Sequence, residues 1–426
     1  MRAVLGQFGS FGRPVRLLLI NQFGINLGFY MLMPYLANYL SAQLLLAGWI
    51  VGLVLGVRNF SQQGMFAVGG SLADRFGYKP LIVAGCTLRT VGFALLGLVD
   101  SVAVLVIAAA ATGLAGALFN PAVRAYLAED AGERRVEAFA MFNVFYQAGI
   151  LVGPLVGLVL TAADFRLTCL VAAAVFAILT VAQARALPAR GGRRGEPGGV
   201  GLLSEMLSSW RQVLRNRPFM LFTVAMAGSY VLSFQVYLTL PLTIEANAPS
   251  PAVEKLAVAA MFAASGLLAV LAQIRVTAWC RRRWSPHRSL TWGVALLGTA
   301  FLPVAAASTG PPMLVVASAV LAGAIIAVAT MVAYPFEMDM VVTLAGAGRI
   351  ATHYGVYSTV SGIAVAIGNM LAGGAVDWAR STQMPIVLWL ALAALGVACG
   401  TAILWLGRRG LLGPAISTKQ ATTVTA

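Results

Sequence analysis

Of the 426 residues, 60% are hydrophobic and only 10% are charged, and the mean hydropathy is +0.86. Polar side chains are too few to cover a soluble globule of that length, so a water-soluble domain is excluded and lipid is the expected solvent. A formal charge of +15 would suggest nucleic acid in a soluble protein; in a membrane chain it sets orientation instead, and no nucleic-acid partner is implied.

A membrane crossing needs about 20 mostly apolar residues. Twelve such segments, spans 1 to 12, begin near Val15, Ala47, Leu81, Val102, Phe139, Arg166, Phe219, Leu256, Ser289, Pro312, Tyr354 and Pro385. With a cytoplasmic N-terminus, the outer links hold only Arg166, Lys255 and Arg380, while Arg58, Arg89 and Arg275 fall within spans. The other Lys and Arg residues all lie on the inner side, so both termini are expected in the cytoplasm of a multi-pass inner-membrane protein. The first apolar run lacks a small-residue cleavage site and is interrupted by Asn21, Gln22 and Asn26, so it is expected to stay in the mature protein. Cys86, Cys169 and Cys399 lie within spans and Cys280 faces the reducing side, so no disulfide is expected.

The polar stretch 188–218 separates a predicted six-helix bundle, 1–187, from a second, 219–410, followed by a cytoplasmic tail, 411–426. Within that stretch Leu203, Met206, Leu207, Trp210, Val213 and Leu214 recur at helical spacing beside Arg211, Arg215 and Arg217, which describes a helix lying on the inner membrane face. Pro121, Arg134 and Gly153 are echoed by Pro335, Arg349 and Gly368 at offsets of 214, 215 and 215 residues, so the halves read as a parallel duplication.

Two motifs suggest mechanism. Gly70 to Pro80 crowds turn and charged residues, including Asp74, Arg75, Gly77 and Lys79, into the short link between spans 2 and 3. In span 5, Gly149, Gly153, Pro154 and Gly157 follow Gly-x-x-x-Gly-Pro-x-x-Gly, a pattern that admits a close neighbour helix and a kink. The first motif resembles the loop signature of the major facilitator superfamily, with Tyr78 at a position usually basic. The second resembles the antiporter signature of its drug exporters, with Leu158 where a second Gly is typical.

The stretch Leu55 to Gly64 narrows the likeness to bacterial twelve-span multidrug exporters of the drug:proton antiporter group, and resembles the subgroup called MdtH. The resemblance implies an all-α membrane protein of twelve transmembrane helices in two six-helix bundles, exporting small amphiphilic compounds by proton antiport with alternating access, as a monomer among membrane lipids. It also implies that Asp74, Arg75 and Lys79 form a charge relay at a cytoplasmic gate.

Arg58 lies twelve residues before Gly70, roughly 18 Å from the inner end of its helix. A charge at that depth is expected to face a cavity or a counter-ion, and Asn59, Gln62 and Gln63 extend a polar strip beside it. Span 1 offers Gln22, Asn26 and Tyr30 on one face, predicted to line the cavity. The substrate-binding candidates are Asn26, Tyr30, Arg58, Asn59, Gln62, Asn120, Tyr146, Tyr230, Gln235 and Tyr334. Arg89 is predicted to make a structural interhelical contact.

Proton coupling needs a titratable group reachable from both sides, yet all 14 acids can be placed near an interface. Glu337, two residues after Pro335, is best placed to enter the cavity; Glu245 and His353 are the other candidates. An Arg58 in a cavity without carboxylates opens an alternative, an anionic or lipid-like cargo, and a facilitator without proton coupling is a further one. No His-Glu-x-x-His helix, phosphate-cradling loop or metal spacing occurs, so neither an enzyme, a metal nor a cofactor is expected.

Overall fold

The computed structural model describes residues 2–191, 202–346 and 348–413. Arg193, Arg194 and Glu196 of the expected linker, and Lys419 of the expected tail, lie outside the described residues. Among the described residues there are helices and turns but no strand.

The predicted crossings form helices that overrun their apolar cores at both ends. Span 1 begins at Arg13–Tyr30, span 3 is Tyr78–Leu98, span 4 Val102–Ala131, span 5 Arg135–Ala163 and span 6 Phe165–Ala186. In the second half, span 7 begins at Arg217–Phe234, span 8 is Pro251–Arg283, span 9 begins at Pro286–Thr299, span 10 is Pro312–Ala345, span 11 Ile350–Thr382 and span 12 Pro385–Arg408. Large apolar side chains such as Met370, Val159 and Ile178 stay exposed on these helices, as a lipid solvent requires.

Span 2 departs from the rest. It is broken at Met65 into Gly48–Gly64 and Phe66–Phe76, the latter leading out into the Asp74 link. Ten stretches are long and apolar enough to cross a membrane, one of them covering spans 4 and 5 together; span 2 is absent from that set. The break and the polar strip from Arg58 to Gln63 are the reason.

The helices form two bundles of six that meet along spans 2 and 11 and along spans 5, 8 and 10. At the end rich in arginine the halves touch backbone to backbone: a Cβ on Gly70 would fall 2.2 Å from the Ala351 carbonyl, and one on Gly355 would fall 2.4 Å from that of Phe66. Only glycine permits that approach. Toward the opposite end the same two spans part, and a Cβ on Gly52, Gly56, Gly373 or Gly374 meets nothing within 4 Å. The molecule is therefore shut at the Arg-rich end and splayed at the other.

The helix Leu202–Arg215 divides its apolar residues between two surroundings. Met206 and Val213 are buried against the protein and the Trp210 indole donates to Ser71 Oγ (2.8 Å), while Leu203, Leu207 and Leu214 stay exposed. Arg75 pairs with Glu205 of this helix (2.5 Å), so the linker is fastened to span 2.

Candidate functional site

Pro335 sits inside span 10, and two residues later Glu337 turns into the space between the halves. It lies eight residues, about 12 Å of helix rise, from the helix end at Ala345 and is 5% exposed. Glu337 therefore reaches the neighbouring spans from within span 10 rather than from its end. The Tyr230 hydroxyl of span 7 and the Tyr357 hydroxyl of span 11 both donate to Glu337 Oε1 at 2.7 Å. The two rings meet edge to face at 5.9 Å, and Phe222 stacks on Tyr357, fixing the donors.

Arg124 faces this carboxylate from the first half. Span 4 runs on as helix to Ala131, so Arg124 lies within it. Its Nη1 donates across the halves to Ser358 Oγ of span 11 (3.2 Å), and its Nε is buried without a partner. Tyr146, Tyr230, Tyr334 and Tyr354 lie around the guanidinium within electrostatic range. An arginine three residues after a proline in an apolar run was the signal available in the sequence.

A second polar layer lies farther from the Arg-rich end. Arg58 donates to Asn59 Oδ1 (2.6 Å) and Gln62 Oε1 (2.7 Å) and rests over the Phe29 ring at 4.5 Å. It forms no ion pair among the described residues. Arg89 is buried, donates to the Thr112 carbonyl (2.9 Å) and is ringed by Phe29, Phe119 and Phe176, which matches a structural contact. Tyr30 lies beside both Arg58 and Tyr146, linking the two layers.

Other candidates occupy different surroundings. Asn26 is buried in a helix seam, where the Cβ position of Gly149 is 2.6 Å from its own Cβ, so the span 1 stripe meets span 5 before it meets the cavity. Gly153 against Tyr30 and Gly157 against the Met31 carbonyl continue that seam, and the Pro154 carbonyl accepts from Tyr35. Gln235 donates to Asn369 (3.3 Å) inside the second half, and Asn120 donates to the Gly116 carbonyl of its own helix. His353 is buried against Phe219 and bonded through Nδ1 to the Arg349 carbonyl, and Glu245 is exposed at the opposite end. Neither reaches the tyrosine cluster.

The Asp74 link does not form the mutual relay that the resemblance implied. Span 11 begins without a cap of its own, and Asp74 of the other half supplies one, accepting from Ala351 N (3.1 Å), Thr352 N (2.7 Å) and Thr352 Oγ1 (2.6 Å). Burial at this junction raises its carboxyl to about 6 although those donors pull the other way. Arg75 is engaged by Glu205, and Lys79 takes part in no ion pair among the described residues. Gly77, at φ +94°, makes the turn, and Tyr78 donates to Glu129 (2.6 Å) where a basic residue is usual. Further bonds join the halves nearby: Arg135 to Asp339 (2.7 Å), Arg281 to Glu137, and buried Asn143 to Gln273 (2.7 Å).

Twin bundles closed at one end enclose a buried carboxylate and arginines, and known proteins share the bundle architecture. The crystal structure of the Escherichia coli fucose:proton symporter matches with a TM-score of 0.70 at 13% identity, covering 92% of this chain and 98% of that one, which shows the fold. An uncharacterized MFS-type transporter of Mycobacterium tuberculosis is 55% identical over 394 residues, 92% of each chain. The multidrug resistance protein MdtH of Yersinia enterocolitica is 29% identical over 405 residues, 95% of this chain and 96% of its own. The Major Facilitator Superfamily profile matches residues 18–369, and with the architecture just described this places the chain in that superfamily, as a membrane transporter and not an enzyme.

Proposed function

We propose that this transporter exports small amphiphilic compounds, drugs among them, in exchange for protons, with Glu337 as the proton-carrying group. The observation that carries the reading is the position of Glu337: a buried carboxylate deep in span 10, held by hydroxyls of two other spans. A carboxylate there can hold a proton when the splayed end admits one and lose it when the molecule opens the other way. The aromatic walls from Tyr30, Tyr146, Tyr230 and Tyr334 suit flat apolar cargo with few hydrogen-bonding groups, and the name of the MdtH relative supports drugs as the cargo.

In this reading the Arg-rich end faces the cytoplasm of the inner membrane, with both termini on that side. The units are the bundles 1–187 and 219–410, the linker 188–218 and the tail 411–426, working as a monomer among lipids. The test is efflux from liposomes holding purified protein, with an imposed pH gradient and a panel of cationic, neutral and anionic compounds. Gradient-driven efflux that Glu337→Gln abolishes is expected; efflux indifferent to the gradient overturns the exchange.

One observation favours a second reading. Arg58, Arg89 and Arg124 all lie between or within the bundles, and none forms an ion pair among the described residues, so the interior attracts negative charge. An anionic or lipid-like cargo would use Arg58, the most accessible of them. Arg58→Ala then loses anionic substrates alone; unchanged transport of the whole panel removes Arg58 from the site.

A further inference from the structure

Arg124 and Glu337 hold nearly matching places in the duplicated halves. Arg124 follows Pro121 by three residues and Glu337 follows Pro335 by two, with the prolines 214 residues apart. A parallel duplication about an axis along the membrane normal turns equivalent positions of spans 4 and 10 toward each other. The structure agrees: Arg124 crosses the junction to Ser358, and the Glu337 carboxylate lies within its electrostatic range. The remaining titratable groups around the pair are phenols, Tyr146, Tyr230, Tyr334, Tyr354 and Tyr357, and the nearest other charges, Arg135 and Asp339, neutralise each other.

We propose that Arg124 is a positioning residue for transport: its attraction to ionised Glu337 across the two halves holds the Arg-rich end shut, and neutralising Glu337 releases it. The inference rests on Glu337 being the proton site. With both groups charged, the buried junction is close to neutral. Remove one charge and the other is left buried with only hydroxyls for company, a far worse arrangement than a matched pair or a pair of neutral groups. Opening the end hydrates the stranded ion, so the neutralised carrier turns inward and the ionised carrier stays shut. That is the return step an exporter needs, since the protonated form turns back to the cytoplasmic side and releases its proton there.

The test is a double-mutant cycle on the end-to-end equilibrium. Spin labels at exposed Glu133 and Arg282, in a background without the four buried native cysteines, report the separation of the halves at the Arg-rich end. Arg124→Met and Glu337→Gln should each shift the closed-to-open ratio toward open by about tenfold, a common scale for coupling between sites. The double variant should return to within about threefold of the parent, and Arg124→Lys should stay near it. Effects of the two substitutions that simply add, or an Arg124→Met protein as closed as the parent, overturn the proposal. Persistence of gradient-driven efflux in Glu337→Gln would instead remove the proton site, whatever the cycle shows. Monodisperse elution of each variant separates these outcomes from misfolding.

Discussion

Replacing Asp74 by Ala takes away the cap that one half lends to span 11 of the other. Three donors, Ala351 N, Thr352 N and Thr352 Oγ1, lose their acceptor, and span 11 has no substitute at its start. Loss of an Asp cap costs about 0.5–2 kcal/mol. Because these bonds run between the halves, the whole cost falls on the arrangement closed at the Arg-rich end. Its population relative to the open one should drop roughly 2- to 30-fold. Thr359 reports this well, since its hydroxyl is held at the junction by Ala67 N and the Gln63 carbonyl. Labelling of a Thr359→Cys variant by a bulky maleimide should accelerate by that factor on adding Asp74→Ala. Asp74→Asn, which keeps an acceptor and sheds the buried charge, should label no faster than the parent at neutral pH. The native cysteines are buried and contribute little background. Equal labelling rates with and without Asp74 would refute the idea that this carboxylate latches the end.

Three further outcomes follow from the same geometry. Burial raises the Asp74 carboxyl to about 6 in the closed arrangement, against an ordinary value of 3.8. The part of closure that its protonation supplies is thus complete below about pH 4 and lost as pH rises through about 6, while the bonds it accepts from Ala351 and Thr352 remain. In a Glu337→Gln background, Thr359→Cys labelling should slow on acidification from pH 7.5 to 5, and Asp74→Asn should abolish that slope. Gly70→Leu cannot seat its side chain against the Ala351 carbonyl, so it should hold the Arg-rich end open and stop transport with little change in melting temperature, both measurable on purified protein. Gly157→Val, aimed at the Met31 carbonyl within one bundle, should instead lower stability by about 1–3 kcal/mol, read as a lower melting temperature.

The crossings were legible because apolar runs of sufficient length have no other solvent, and the Asp74 link because charges between two such runs mark a membrane exit. Depth and facing were not. Arg124 and Glu337 look terminal in a hydropathy count, but spans 4 and 10 continue as helix for two turns beyond them. The stripe of Asn26 and Tyr30 was readable as one face of span 1. What that face touches depended on the bare backbone of Gly149, Gly153 and Gly157 on span 5, which a single helix cannot reveal. The Asp74 contact joins residues 277 and 278 positions apart, and no local pattern announces it.

The break at Met65 and the polar strip above it bear on how the polypeptide reaches its membrane. An arginine at the centre of an isolated helix costs about 2.5–3.5 kcal/mol to insert, and Asn59, Gln62 and Gln63 add to that burden in a helix of only 17 residues. Left to itself during synthesis, the second crossing would tend to slip back into water. Phe29 of span 1 and Gly113 of span 4 offer it an aromatic face and a close backbone seat. Biogenesis of this protein therefore waits on a small assembly of neighbours, emerging before and after, to carry the reluctant segment into the bilayer together.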